Sequence, residues 1–325
     1  MKIDTHSHIE IPEVLELLPV PLKNQFSHLS STSAAYQERL EMTLQNQLCC
    51  PQRKLEDMGR MGLDMTILCI APQHFYYTLD GDLALSLSRS QNDRISATVE
   101  KYPEKFGGMA TVPLQNIEAS VSELERAILE LNLRGVEIAS NVAGRYVGER
   151  SFWPLFEKAQ ALDVPIFIHP RNVAGADRMK DFYLSNLVGN PLDTTLAAAH
   201  LIFSGIFDHL PKLKIILAHA GGQLPYICGR LSHGFKVRPE CQQAIKKTPI
   251  EYMKQFYFDT ISHDPDCLRF LISRVGADHV LLGTDYPYDM SDMDPLGSLD
   301  RVPGLTLEEK EKISERNAVS LFKIL

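Results

Sequence analysis

Two histidines two residues apart, in Asp4-Thr5-His6-Ser7-His8, stand near the start of this 325-residue sequence. Met1-Lys2-Ile3 ahead of them begins a short apolar strand. Side chains alternate faces along a strand, so His6 and His8 project to one side, roughly 7 Å apart along the chain. Two imidazoles on one face at a strand end can share a metal ion. An isolated H-x-H is also what two polar loop residues look like, so the reading depends on further ligands arriving at equivalent positions. Three candidates do. His169 follows the apolar run Pro165-Ile166-Phe167-Ile168, His219 follows Lys214-Ile215-Ile216-Leu217-Ala218, and Asp285 follows Val280-Leu281-Leu282-Gly283-Thr284. Three imidazoles with a carboxylate suit a borderline divalent ion, Zn²⁺ first, with Mn²⁺ or Fe²⁺ as alternatives.

The elements that must carry these residues are legible as apolar runs. Strands are predicted over 1–3, 65–70, 106–111, 135–139, 165–168, 214–218, 256–259 and 280–284. Helical spacing of apolar residues predicts helices over 51–62, 83–102, 117–131, 151–162 (with Ser151 as its cap), 192–209 and 307–322. Short apolar strands alternating with helices point to parallel βα units covered on both faces. A single (β/α)₈ TIM barrel spanning 1–325 is the economical α/β architecture. A doubly wound sheet is the alternative, but the glycine-rich dinucleotide fingerprint is missing. Residues 10–50, rich in Ser, Gln and Pro, read as a small insertion or lid subdomain after the first strand. In a barrel the C-terminal strand ends converge on one face, which brings all five candidate residues together.

Asp4-Thr-His-Ser-His8, Ile168-His-Pro170, Leu217-Ala-His-Ala-Gly-Gly222 and Gly283-Thr-Asp-Tyr-Pro287 resemble motifs of the amidohydrolase superfamily. More narrowly, the chain resembles its branch of metal-dependent, non-oxidative decarboxylases. Leu187-Val-Gly189, 207–213, Gly229–Pro239 and 283–288 are similar to the aminocarboxymuconate-semialdehyde decarboxylases, and the similarity covers essentially the whole chain. The resemblance implies that His6, His8, His169 and Asp285 hold the ion, and that His219 is a general acid/base beside a metal-bound water. Strand four, ending Glu137-Ile138-Ala139, has no lysine that could be carbamylated to bridge two ions, which favours one. Sequence leaves open a fifth ligand from His219. Arg171, Arg230, Asn186 and Tyr288 are the candidate substrate contacts. In the resembled enzymes the region of Arg230 enters a neighbouring subunit's pocket, so a homodimer is implied. The chain departs from their pattern at Gln45, which aligns with a substrate-binding arginine, and at Arg171 and Asn186, which align with pocket tryptophans. A more polar pocket and a different, aromatic or more highly carboxylated acid are therefore expected.

Losing CO₂ from an sp² carbon leaves an unstable vinyl- or aryl-type anion, so that carbon must first become sp³, either by protonation or by addition of metal-bound hydroxide to the conjugated system. A bound metal supplies Lewis acidity and His219 can move the proton. A lactone, amide or ester hydrolase, or a hydratase, would use the same groups, and a metal-stabilised binding protein would leave His219 without a task. Composition narrows the partners. A net charge of −8, with no basic run longer than Lys246-Lys247, argues against nucleic acid. No apolar stretch approaches the roughly 20 residues of a membrane span. Six scattered cysteines without a C-x-x-C pair, and a start with no charged leader, predict reduced, mostly buried thiols in a cytoplasmic protein.

Overall fold

A computed structural model describes residues 1–15, 18 and 44–324, so most of the expected insertion over 10–50 lies outside the described residues. The fold is α/β, with parallel strands and helices between them. One sheet holds β1 (Ile3–Ile9), β2 (Met65–Ile70) and β3 (Phe106–Gly108), in that order. The second runs β11-β10-β9-β8-β5-β4. Its strands are β4 (Ala110–Thr111), β5 (Val136–Ala139), β8 (Ile166–His169), β9 (Ile215–Leu217), β10 (Phe256–Asp259) and β11 (Val280–Leu281). A small antiparallel hairpin, β6 (Asn141–Val142) with β7 (Arg145–Tyr146), stands apart from both.

Hydrogen bonds link the two sheets at both edges. Met109 N donates to Leu68 O and Ala110 N to Gly135 O, both at 2.8 Å, so the predicted 106–111 strand is divided where its backbone turns from β2 to β5. At the other edge Thr5 N donates to Leu282 O (2.9 Å), Asp285 N to His6 O and His8 N to Tyr286 O (both 2.8 Å). β11 is shorter than the predicted 280–284 run because Leu282 N turns to Ile313 O in the last helical region instead.

The strands are apolar because they are buried on both faces: every residue of β2, for example, is buried. Ile3, Ile67, Cys69, Met109, Phe167, Ile216 and Leu281 form one buried cluster with Ala318, Leu321 and Phe322 of the final helix. Local signals set the helix ends. Pro51–Met61 opens on proline and closes at Gly62, whose φ of 72° is the left-handed cap that glycine tolerates. The predicted 192–209 helix breaks at Gly205 (φ 80°), where a Cβ would meet Ala244 O at 2.5 Å. Ser151 does not cap its helix. It lies in the turn Arg150–Phe152 ahead of Trp153–Leu162 and accepts from Arg145 Nη2 at 2.7 Å. Among the described residues no helix is long and apolar enough to cross a membrane. All six cysteines are free, but only Cys69 and Cys228 are buried; Cys267 is exposed, because its helix turns that position outward.

Candidate active site

β1 carries His6 and His8 side by side, with Nε2 atoms 3.1 Å apart. His169 is the last residue of β8, His219 lies two residues past β9, and Asp285 four past β11. Asp285 Oδ1 is 3.3 Å from His6 Nε2 and 3.1 Å from His8 Nε2. One ligand atom from each of His6, His8, His169 and Asp285 lies within 4.8 Å of the others, and all four residues are buried.

Partners behind the histidines fix their tautomers. His6 Nδ1 donates to Asp259 Oδ2 (2.8 Å), His8 Nδ1 to Ile70 O (3.2 Å) and His169 Nδ1 to Pro170 O (3.0 Å). A carboxylate or carbonyl can only accept, so each Nδ1 carries a proton, and in the neutral ring each Nε2 is then a bare donor atom. Bare nitrogens and a carboxylate oxygen this close repel one another unless a cation lies among them. The donor set therefore fits one divalent ion. Charge agrees. Burial pushes His8 down to about 4 and His169 well below its usual value, keeping both neutral. At His6 burial acts in the same direction, but Asp285 and Asp259 outweigh it and lift the group to about 10. Burial opposes ionisation of Asp285 too, yet His6 and the neighbouring imidazoles hold it well below the carboxylate range.

Two further carboxylates organise the cluster. Asp4 accepts from His6 N (3.0 Å), Thr284 N (3.1 Å) and Thr284 Oγ1 (2.7 Å), tying the D-T-H-S-H motif to G-T-D across the sheet edge. Asp259 accepts from His6 Nδ1, from His219 N (2.8 Å), and from Ala220 N (2.7 Å). Neither receives a role from sequence reasoning, although Asp4 lies within the D-T-H-S-H motif and Asp259 is the last residue of β10, which are the signals that mark them. Lys54 is also unanticipated. It is fully buried, and its Nζ donates to Ser7 Oγ (2.9 Å) and His8 O (2.8 Å) behind the histidine cluster. Glu137 is fully buried as well, and burial raises its carboxyl well above the usual value.

His219 stands beside the four clustered residues. Its Nε2 is 3.4 Å from Asp285 Oδ2, while its Nδ1 has no hydrogen-bond partner among the described residues. Its ring is aimed by an unusual backbone: His219, Ala220, Gly221 and Gly222 have φ of 56°, 54°, 74° and 61°. Glycine is required at the last two positions, since a Cβ on Gly221 would strike the Phe258 ring at 2.5 Å and one on Gly222 would strike Pro191 O at 2.1 Å. His219 and Asp285 open onto a cavity of about 350 Å³, lined on its apolar side by Leu187, Ile261, Phe270 and Met290, and by the polar Asn186 and Asn190.

The four candidate substrate contacts are not equivalent. Asn186 lines this cavity. Tyr288 packs its ring 5.1 Å from that of His8 and donates its hydroxyl to Gln73 Oε1 at 2.9 Å. Arg171 is half-buried just past His169, with its carbonyl accepting from Asn141 Nδ2 at 2.7 Å. Arg230 is exposed on the helix Leu224–Val237, one turn beyond the cavity-lining Tyr226, and Gln45 is exposed on helical residues 44–49.

The chain is similar to known proteins over most of its length. The family model described as amidohydrolase matches residues 51–324. A 2-amino-3-carboxymuconate-6-semialdehyde decarboxylase of Dictyostelium discoideum is 39% identical over 273 residues, covering 84% of this chain and 74% of that one. The crystal structure of 5-carboxyvanillate decarboxylase from Sphingomonas paucimobilis superposes with a TM-score of 0.84 at 25% identity, covering 100% of this chain and 99% of that one. A dihydroxybenzoic acid decarboxylase from Polaromonas sp. JS666, solved with bound manganese and 2-nitroresorcinol, has a TM-score of 0.83 at 27% identity, covering 99% and 96%. The chain belongs to the amidohydrolase family, in the branch whose members are metal-dependent decarboxylases.

Proposed function

We propose that this protein is a metal-dependent, non-oxidative decarboxylase of a small aromatic carboxylic acid, built on a single closed (β/α)₈ barrel. The observation that carries the reading is the placement of His219 and Asp285 on a mostly apolar cavity beside three imidazoles with bare Nε2 atoms. Hydrogen bonds at both sheet edges, and the side chains that five strands send into one buried cluster, support barrel closure. His6, His8, His169 and Asp285 would hold one divalent ion, which supplies Lewis acidity toward substrate oxygens when bound. Three nitrogens and one carboxylate suit Zn²⁺, with Mn²⁺ as the alternative given the manganese in the Polaromonas enzyme.

The protein's own groups then divide the task. Leu187, Ile261, Phe270 and Met290 present apolar surface to a flat ring and exclude water from it. Asn186 and Asn190 offer amides to ring hydroxyl or carboxyl oxygens. His219 Nε2 delivers a proton to the carbon that bears the carboxylate, making it sp³ before CO₂ leaves, and Asp285 Oδ2 holds that imidazole in place. Arg171, two residues past His169, and Tyr288, whose ring packs against His8, would serve as further contacts for substrate anions. Arg230, exposed in one chain, fits a homodimer in which it completes the partner's cavity; Tyr226, 82% exposed at the cavity rim, gives such a dimer apolar surface to cover. Six free thiols favour a reducing compartment, the cytoplasm.

The test is CO₂ release from a panel of hydroxybenzoates, carboxylated hydroxybenzoates and aminocarboxymuconate semialdehyde, with metal analysis on the same preparation. An aromatic acid is expected to be the best substrate. If aminocarboxymuconate semialdehyde is the best, the substrate assignment fails; if a lactone or ester is hydrolysed without CO₂, the reaction class fails.

A further inference from the structure

We infer that Asp259 is a positioning residue that aligns the metal centre and the proton-transfer imidazole with a single carboxylate; this rests on the metal reading above. Asp259 ends β10 and is fully buried. A charged carboxylate in that setting is stable only if its lone pairs are filled, and here four donors fill them. Oδ2 accepts from His6 Nδ1 and His219 N, both at 2.8 Å. Oδ1 accepts from Ala220 N at 2.7 Å and Ile261 N at 3.0 Å.

Each bond has a distinct consequence. The first obliges His6 to keep its proton on Nδ1 and turn a bare Nε2 toward Asp285. The second and third hold two successive non-glycine residues in the left-handed region, at φ 56° and 54°. That conformation is disfavoured for residues with a Cβ, and its consecutive N–H groups form a concavity that favours an anion. Asp259 is that anion. It fixes the turn from which the His219 ring reaches to within 3.4 Å of Asp285 Oδ2. A shift of this one carboxylate would therefore misplace a ligand and the acid/base together.

Asp259→Asn tests this, because an amide is nearly isosteric but can accept on one side only. Whichever way it lies, an NH₂ group faces either His6 Nδ1 and His219 N–H, or Ala220 N–H and Ile261 N–H. Expected are a roughly 10- to 100-fold loss of Zn²⁺ or Mn²⁺ affinity in competitive titration, and faster exchange of the His219 and Ala220 amides. A purely structural role would lower the melting temperature and leave the ion affinity of the folded protein intact. Should the variant fail to fold, ring ¹⁵N shifts of the zinc-loaded wild-type protein decide, with Nδ1–H and an unprotonated, metal-bound Nε2 expected at His6. Wild-type affinity and exchange in Asp259→Asn, or a proton on His6 Nε2, overturns the inference. A wild-type chain that binds neither ion refutes the metal reading instead, and the amide exchange still shows whether Asp259 pins the turn.

Discussion

At the scale of single residues, the site separates groups that would hold an ion from the one that would move a proton. His219 lies outside the set of four that share one centre, yet touches it through Asp285. His219→Asn should therefore retain its metal while turnover falls by about 10²–10⁴-fold, the usual contribution of a positioned acid/base. Metal content and rate measured on one preparation check both halves, and an active variant removes His219 from the chemistry. Lys54 gives a second prediction. Burial lowers this lysine from 10.5 to about 7. Between those values the unfolded chain carries a proton at this site that the folded chain lacks, so stability from this group rises with pH across the window. In Lys54→Met that rise should be absent from denaturation midpoints measured over the same range.

At the scale of elements, the turn after β9 is where backbone and chemistry meet. Gly222→Ala would add a Cβ 2.1 Å from Pro191 O at a φ of 61°, so the turn must move. A loss of about 1–3 kcal/mol in stability is expected, together with a fall in turnover at unchanged metal content; melting and metal analysis separate the two. This turn was readable in the sequence only as a motif. Leu-Ala-His-Ala-Gly-Gly marks a site, but that four successive residues take positive φ depends on Phe258, Pro191 and Asp259, all distant in the chain. Strands were easier, since residues buried on both faces must be apolar, and β2 and β10 fall on the predicted spans. Their ends were harder. Leu282 leaves its ladder for Ile313, and Met109 is shared between sheets, which no local pattern encodes. The helix Pro265–Val275 is carried by an Asp264 cap and by buried Leu268, Leu271, Ile272 and Val275, a stripe present in the sequence but missing from the predicted helices. The hairpin β6–β7 has two-residue strands, too short for any periodicity to register.

At the scale of the whole molecule, the cavity in one chain has amides and apolar walls, while Arg230 is exposed and is not among the residues that line it. If a second copy supplies that guanidinium, Arg230→Ala should be nearly inactive with a raised KM, and so should His219→Asn. Mixed and refolded together, the two should regain activity approaching a quarter of wild type, because in a hybrid dimer one cavity has both an intact His219 and a partner's arginine. Failure to complement, with a dimer seen by sedimentation, would leave Arg230 a surface residue.

Asp4 and Thr284 are joined directly although 280 residues separate them, and His8 meets Asp285 across 277. Such a centre has no partial version during synthesis. A polypeptide still emerging from the ribosome can lay down most of its strands and remain blind to metal until the Gly-Thr-Asp segment clears the exit. A nascent chain stalled before that point should leave zinc in solution, and any proteolytic clip that frees either segment should silence the enzyme even where the rest of the sheet stays folded.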